Sequence, residues 1–123
     1  MKRHTAGEDY LEAILVLQQE KDVVRSIDVA RHLGFSRASV SVAVSVLKDA
    51  GLLEMNEKFN LLLTDEGRKI AEKIYERHCF FKNLLMFSGV EEKDAEDNAC
   101  RLEHVITDDA FLKLKQATES LLK

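Results

Sequence analysis

Between Ser26 and Thr64 the chain reads "SIDVARHLGFSRASVSVAVSVLKDAGLLEMNEKFNLLLT", and the order of its parts limits the fold more than any other feature. Ser26 is expected to cap a short helix through Leu33, Gly34 makes a turn, and Ser36 caps a second helix running to about Ala50. Val29, Ala30 and Leu33 would pack beneath, with Val40, Val44 and Leu47 of the second helix. The polar side keeps Ser36, Arg37, Ser39, Ser41 and Ser45. Two helices about a tight turn form a helix-turn-helix pattern, although a plain helical hairpin with a wet serine face would read similarly. The next residues decide more. "LLEMNEKFNLLLT" alternates as two short strands about a turn near Asn56–Lys58. A hairpin directly after a candidate recognition helix is a wing, with Lys58 at its tip.

Around this unit the chain is helical. There is no proline in 123 residues, so no helix is broken from within by that residue. "TAGEDYLEAILVLQQEK" opens with Thr5 as expected N-cap and Glu8 as its capping-box partner, and Leu11, Ile14 and Leu15 form a stripe. Asp9 and Glu12, three apart, share another face; by themselves they read as an acidic first turn favoured by the helix dipole. "TDEGRKIAEKIYERHCFFKNLLMF" is expected as a long helix capped at Thr64. Its stripe of Ile70, Ile74, His78, Phe81 and Leu85 places a histidine on the apolar face. Gly89 ends it, and "VEEKDAEDNACRLEHVI" and "DDAFLKLKQATESLLK" form two more helices. These C-terminal helices look too few and too short to enclose a core alone. Phe80, Phe81, Leu84, Met86 and Phe87 therefore suggest a self-pairing surface.

Cys100, Glu103 and His104 fall at i, i+3 and i+4, so a helix would point all three the same way. Each can bind a transition metal; equally, a partly buried cysteine beside a solvated Glu–His pair would look the same. The net charge of −4 argues weakly against bulk nucleic-acid binding, but the acidity is uneven. Residues 1–64 hold 8 Lys/Arg against 9 Asp/Glu, and residues 65–123 hold 10 against 13. The first half can still present a basic face. No signal-peptide pattern or membrane-length apolar run is evident. A cytoplasmic protein with Cys79 and Cys100 as free thiols is expected.

Taken in order, "EDYLEAI", "VARHLGFSRASVSVAVSVLKDAGLL", "LTDEGRKIA", "RHCFFKNLL" and "DNACRLEHVITDDAF" resemble the diphtheria-toxin-repressor family of metal-dependent transcriptional repressors. The resemblance implies a mainly α fold, with a winged helix-turn-helix domain over 1–64 and a linker helix plus helical metal-binding and dimerisation domain over 65–123. The chain ends too early for the SH3-like third domain of larger members, and so looks like the compact manganese-regulator form. It implies Asp9, Glu12, His78, Cys100, Glu103 and His104 as metal ligands. Arg25, Ser36, Arg37, Ala38, Ser39, Ser41, Val42 and Lys58 would form the DNA face. The partners implied are a pseudo-palindromic double-stranded operator and a second copy of the chain, with no membrane.

Two departures bear on the metal. Cys100 stands where manganese-type members have a bridging Glu, whereas Asp9 stands where iron-type members have Met. The mixture points to Fe2+ or Mn2+, iron slightly preferred, with zinc, cobalt or nickel able to substitute in vitro. Lys82 and Glu96 replace a Glu and a His of the iron-type ancillary site, so a separate site of that type is not expected. Competing readings are a winged-helix regulator sensing another ligand, or a non-regulatory helical metalloprotein. The Glu-x-x-His pairs of di-iron bundles are absent, since Tyr75 and Arg101 precede His78 and His104 by three. A Cys100–His104 nucleophile would lack an oxyanion hole, so no enzymatic activity is expected.

Overall fold

The computed structural model describes residues 4–121, with side chains from residue 7. In chain order the elements are α1 (His4–Glu20), α2 (Ser26–Leu33), α3 (Arg37–Asp49), β1 (Leu53–Met55), β2 (Leu61–Leu63), α4 (Asp65–Phe87), α5 (Glu92–Leu102) and α6 (Asp108–Thr118), followed by a 3-10 turn at Glu119–Leu121. The chain divides into two compact units, residues 1–72 and 73–123. The division falls inside α4.

In the first unit α1, α2 and α3 pack on one another and on the hairpin. The strands are antiparallel, with Leu53 opposite Leu63 and Met55 opposite Leu61. The core is aliphatic: Leu11, Ile14, Val24, Val29, Val40 and Leu61 are almost wholly enclosed. Each such side chain contributes about 1.5–3 kcal/mol through the apolar surface it removes from water. Leu33, expected beneath the motif, is only half-buried.

Helix boundaries follow local chemistry, with two corrections. Ser36 caps α3 as expected, its hydroxyl accepting from the Ser39 N–H at 3.1 Å. Thr64 likewise accepts from the Gly67 N–H at 3.1 Å. Ser26 is not a cap: Arg25 occupies that position, and the Asp28 carboxylate reaches back to accept from the Arg25 N–H at 2.9 Å. Thr5 lies inside α1, which already includes His4; its side chain is outside the described ones. Gly34 closes α2 with φ 74°, a left-handed conformation that a β-carbon disfavours. Gly67 is needed for space, since a β-carbon there would meet the Leu52 carbonyl oxygen at 2.1 Å.

In the second unit Phe81, Ala99 and Phe111 form a small core, with Phe80, Ile106 and Leu114 against it. The cluster is small, and much apolar surface of the unit stays open, in keeping with helices too short to enclose a core alone. Phe80 and Phe81 each set their rings against Phe111. Phe81 is 6% exposed and is a core residue rather than part of an open surface. Leu84 is half-buried, and of the expected self-pairing group only Met86 and Phe87 stand open, joined by Leu102, Val105 and Leu112 of the same unit.

Candidate functional site

In residues 73–123 the polar centre is built around Glu103, whose side chain is buried. α5 ends at Leu102, so Glu103 is its C-cap and His104 lies in the turn beyond. The expected single helical face for Cys100, Glu103 and His104 therefore holds only in part. Glu103 keeps helical backbone angles and donates its N–H to the Ala99 carbonyl at 3.0 Å, which turns its carboxylate inward. The exposed Cys100 remains on α5.

His78 is delivered from α4, buried on the apolar face as its position in the stripe implied. Its Nδ1 is 2.8 Å from Glu103 Oε1 and 3.8 Å from Cys100 Sγ, and its Nε2 is 2.9 Å from Glu96 Oε2. His104 Nε2 is 3.2 Å from the other Glu103 oxygen. One enclosed carboxylate thus sits between two imidazoles. Cys100, then Glu103 and Glu96, favour the imidazolium and push His78 up to about 11, against the burial that opposes charge. Two carboxylates and a thiol converging on one imidazole have the electrostatics of a cation site. Its imidazole, thiol and carboxylate donors suit a divalent transition ion of borderline softness.

Glu96 was missed as a candidate donor. His78, Glu96 and Cys100 offer ligand atoms all within 4.8 Å of one another. The signal in the sequence was the i, i+4 spacing of Glu96 and Cys100 on α5. Lys82 sits 3.3 Å from Glu96 and 3.4 Å from Glu92, so a fixed ammonium already neutralises that outer edge. Glu96 and Glu92 raise its pKa in turn. In the first unit, Asp9 and Glu12 are half-buried on successive turns of α1.

The second candidate surface belongs to the first unit. Arg37, Ala38, Ser41 and Val42 of α3 are exposed, Val42 by 65%. Exposed Val46, one turn on, extends an apolar strip that sequence reading did not include. Methyl groups on such a helix suit contact with thymine methyls, and Arg37 suits phosphate or guanine. Ser36 and Ser39 are occupied with capping, their hydroxyls 3.0 Å apart. Arg25 is exposed and donates from Nε to Asn60 Oδ1 at 3.2 Å, at the base of the wing. Lys58 is exposed in the wing turn.

Residues 4–60 match the family model described as the iron-dependent repressor N-terminal DNA-binding domain, and residues 64–121 match that of its metal-binding and dimerisation domain. The transcriptional regulator MntR of Escherichia coli O6:H1 is 34% identical over 104 residues, covering 85% of this chain and 67% of its own. An HTH-type transcriptional regulator of Methanocaldococcus jannaschii is 31% identical over 110 residues, covering 88% of each. These relatives are transcriptional regulators rather than enzymes. Among solved structures, a manganese-dependent transcriptional repressor in complex with manganese superposes with a TM-score of 0.82 at 26% identity, covering 90% of this chain and 51% of that one. The manganese regulator SloR gives 0.81 at 25%, covering 92% and 53%. The chain thus spans about half the length of the solved chains it resembles. Among the described residues no helix is long and apolar enough to cross a membrane.

Proposed function

Because this chain belongs to the diphtheria-toxin-repressor family of iron- and manganese-dependent transcriptional regulators, we propose that it is a homodimeric repressor. It binds a pseudo-palindromic operator once a divalent ion is held, and it governs metal-uptake genes in the cytoplasm. The observation that carries the reading is the buried Glu103 carboxylate between two imidazoles, in a chain whose other unit is a winged helix. The ligand set is Asp9 and Glu12 of α1 with His78, Cys100, Glu103 and His104. A bound ion supplies positive charge to a set of carboxylates and a thiol. The protein's part is to orient these donors: Glu103 by the turn that ends α5, His78 by its place on α4, and Cys100 by α5 itself.

The metal is Fe2+ or Mn2+, with a slight preference for iron. Cys100 supports that preference, since a thiol favours the softer ion. Zinc, cobalt and nickel act as substitutes in vitro. The outer Glu96 carboxylate is held by Lys82, which favours a single ion per site.

The test is binding to a duplex that the metal-loaded protein selects from a random pool, titrated separately with ferrous iron, manganese and zinc under anaerobic, reducing conditions. Affinity should rise at least tenfold with metal, and Cys100→Ser should weaken activation by iron and zinc more than by manganese. Equal affinity in chelator and in every metal would sink the repressor reading. Unshifted curves for Cys100→Ser would remove the thiol from the ligand set alone.

A further inference from the structure

The wing turn holds a residue that nothing in the fold requires. From Asn56 to Asn60 the turn is tied down on every side. The Asn56 side-chain oxygen accepts from the N–H groups of Lys58 and Asn60, each at 2.9 Å. The Asn56 N–H donates to the Asn60 carbonyl at 3.1 Å, and the Phe59 N–H donates to the Asn56 carbonyl at 3.0 Å. Behind it the Leu61 N–H donates to the Val24 carbonyl at 2.7 Å, fixing the wing to the segment before α2. Within this rigid frame Phe59 has φ 65°, the one non-glycine residue with positive φ among those described. Glycine or asparagine would occupy that position without the penalty a bulky side chain carries there.

The side chain recovers little for this strain. Phe59 is 68% exposed. A bulky apolar residue that is strained and largely solvated costs backbone energy with little burial to offset it, and strain of this kind marks functional positions. Its surroundings indicate the partner. Lys58 precedes it in the turn and Arg25 is bonded to Asn60, the residue after it, while Glu57 is the one acidic residue of the turn itself. The wing follows α3 directly and packs against it through β1. An exposed aromatic ring in a turn that also carries Lys58, on a wing packed against the candidate recognition helix, suits a polyanion with stackable apolar faces.

We infer that Phe59 is a DNA-contacting wedge, entering the minor groove beside the major groove read by α3 and stacking on a base step. This rests on the DNA-binding reading above. Apolar side chains from minor-groove elements partly unstack base steps in this way, while neighbouring cations engage the phosphates. Such a contact is apolar, so it adds affinity without adding counterion release.

The test uses the full chain loaded with manganese and the duplex that wild-type protein selects from a random pool. Phe59→Gly and Phe59→Asn both relieve the backbone and both remove the ring. Each should bind that duplex roughly tenfold more weakly, the scale of one aromatic–base stack. The dependence of affinity on salt should stay unchanged, whereas Lys58→Ala should flatten its slope by about one. The melting temperature of both Phe59 variants should equal or exceed that of the wild type. Unchanged affinity, a flattened salt slope, or a loss that merely tracks a lower melting temperature would overturn the wedge. Arg37→Ala separates the two readings. If it weakens binding while the Phe59 variants do not, the wedge fails alone; if neither does, the DNA-binding reading fails with it.

Discussion

In residues 1–72 the buried side chains are mostly aliphatic, with Leu11, Ile14, Val24, Val29, Val40 and Leu61 at their centre. In residues 73–123 they include Arg77, His78 and Glu103 beside Phe81 and Phe111. Among the described residues, every buried charged side chain lies in the second unit. An aliphatic core depends on neither pH nor ions, because its stability comes from apolar surface removed from water. A core with buried charge must satisfy that charge, and the means of doing so come partly from solution. The first unit is thus built as a scaffold of fixed shape, and the second as an element whose stability depends on how its buried charges are met.

The sharpest way to break this contrast is Glu103→Ala. Removing one partner from a buried ionic arrangement typically costs about 3–5 kcal/mol. The variant should lose stability of that order in urea melts in chelator, and added manganese should no longer stabilise it. Wild-type stability in chelator, or an undiminished gain with manganese, would show that the second core does not depend on its charges.

The pH dependence should sharpen the same contrast with a smaller effect. His78 is raised from 6.5 to about 11. A folded value above the unfolded one stabilises the native state fully below pH 6.5, and that contribution is lost as pH rises through about 11. Without metal, the stability contributed by the second unit should therefore decline as pH rises above neutrality. If His78 is a ligand as proposed, the trend should reverse with manganese, because the ion would have to displace the His78 proton and so would bind more tightly at higher pH. Calorimetry across that range, in chelator and in manganese, checks both signs.

The smallest expected effect lies in the scaffold. Ser36→Ala should remove the α3 cap at a cost of about 1 kcal/mol. The loss should be the same in chelator and in manganese, since the hydroxyl serves only the helix end. A cost that changed with metal would blur the distinction between the two units.

Much of the architecture was legible because it rests on local signals. The Ser36 cap, the Gly34 turn, the alternation in "LLEMNEKFNLLLT" and the Thr64 cap each fix a boundary through neighbouring residues. The reading failed where the outcome depended on what lies across from a residue. Ser26 was expected to cap α2, but Asp28 serves the position from within the helix. Phe81 was expected on an open face because nothing in the sequence shows that Phe111 meets it. Glu96 was set aside as a substituted residue, yet its carboxylate reaches His78 from α5. His78 and Glu103 were each singled out by residue type and family resemblance, and the structure sets them 2.8 Å apart. Phe59 left no trace in any periodicity, since strain at a single residue carries no repeating pattern.

Arg77 and His78 are neighbours on α4, and between them they grip the segment after α5 at both ends. His78 holds Glu103, while the buried Arg77 guanidinium donates to the Ile106 carbonyl at 2.7 Å, pairs with Asp108 and lies over the Phe111 ring. The backbone carrying Glu103 and His104 is therefore ordered by folding itself, and its entropy is already spent before any ion arrives. For an ion held there, residence time would depend on how often this double grip opens as well as on donor strength. A change at Arg77, whose bonds go to Ile106 and Asp108, would loosen that backbone and so alter both how long such an ion stays and the concentration at which it binds.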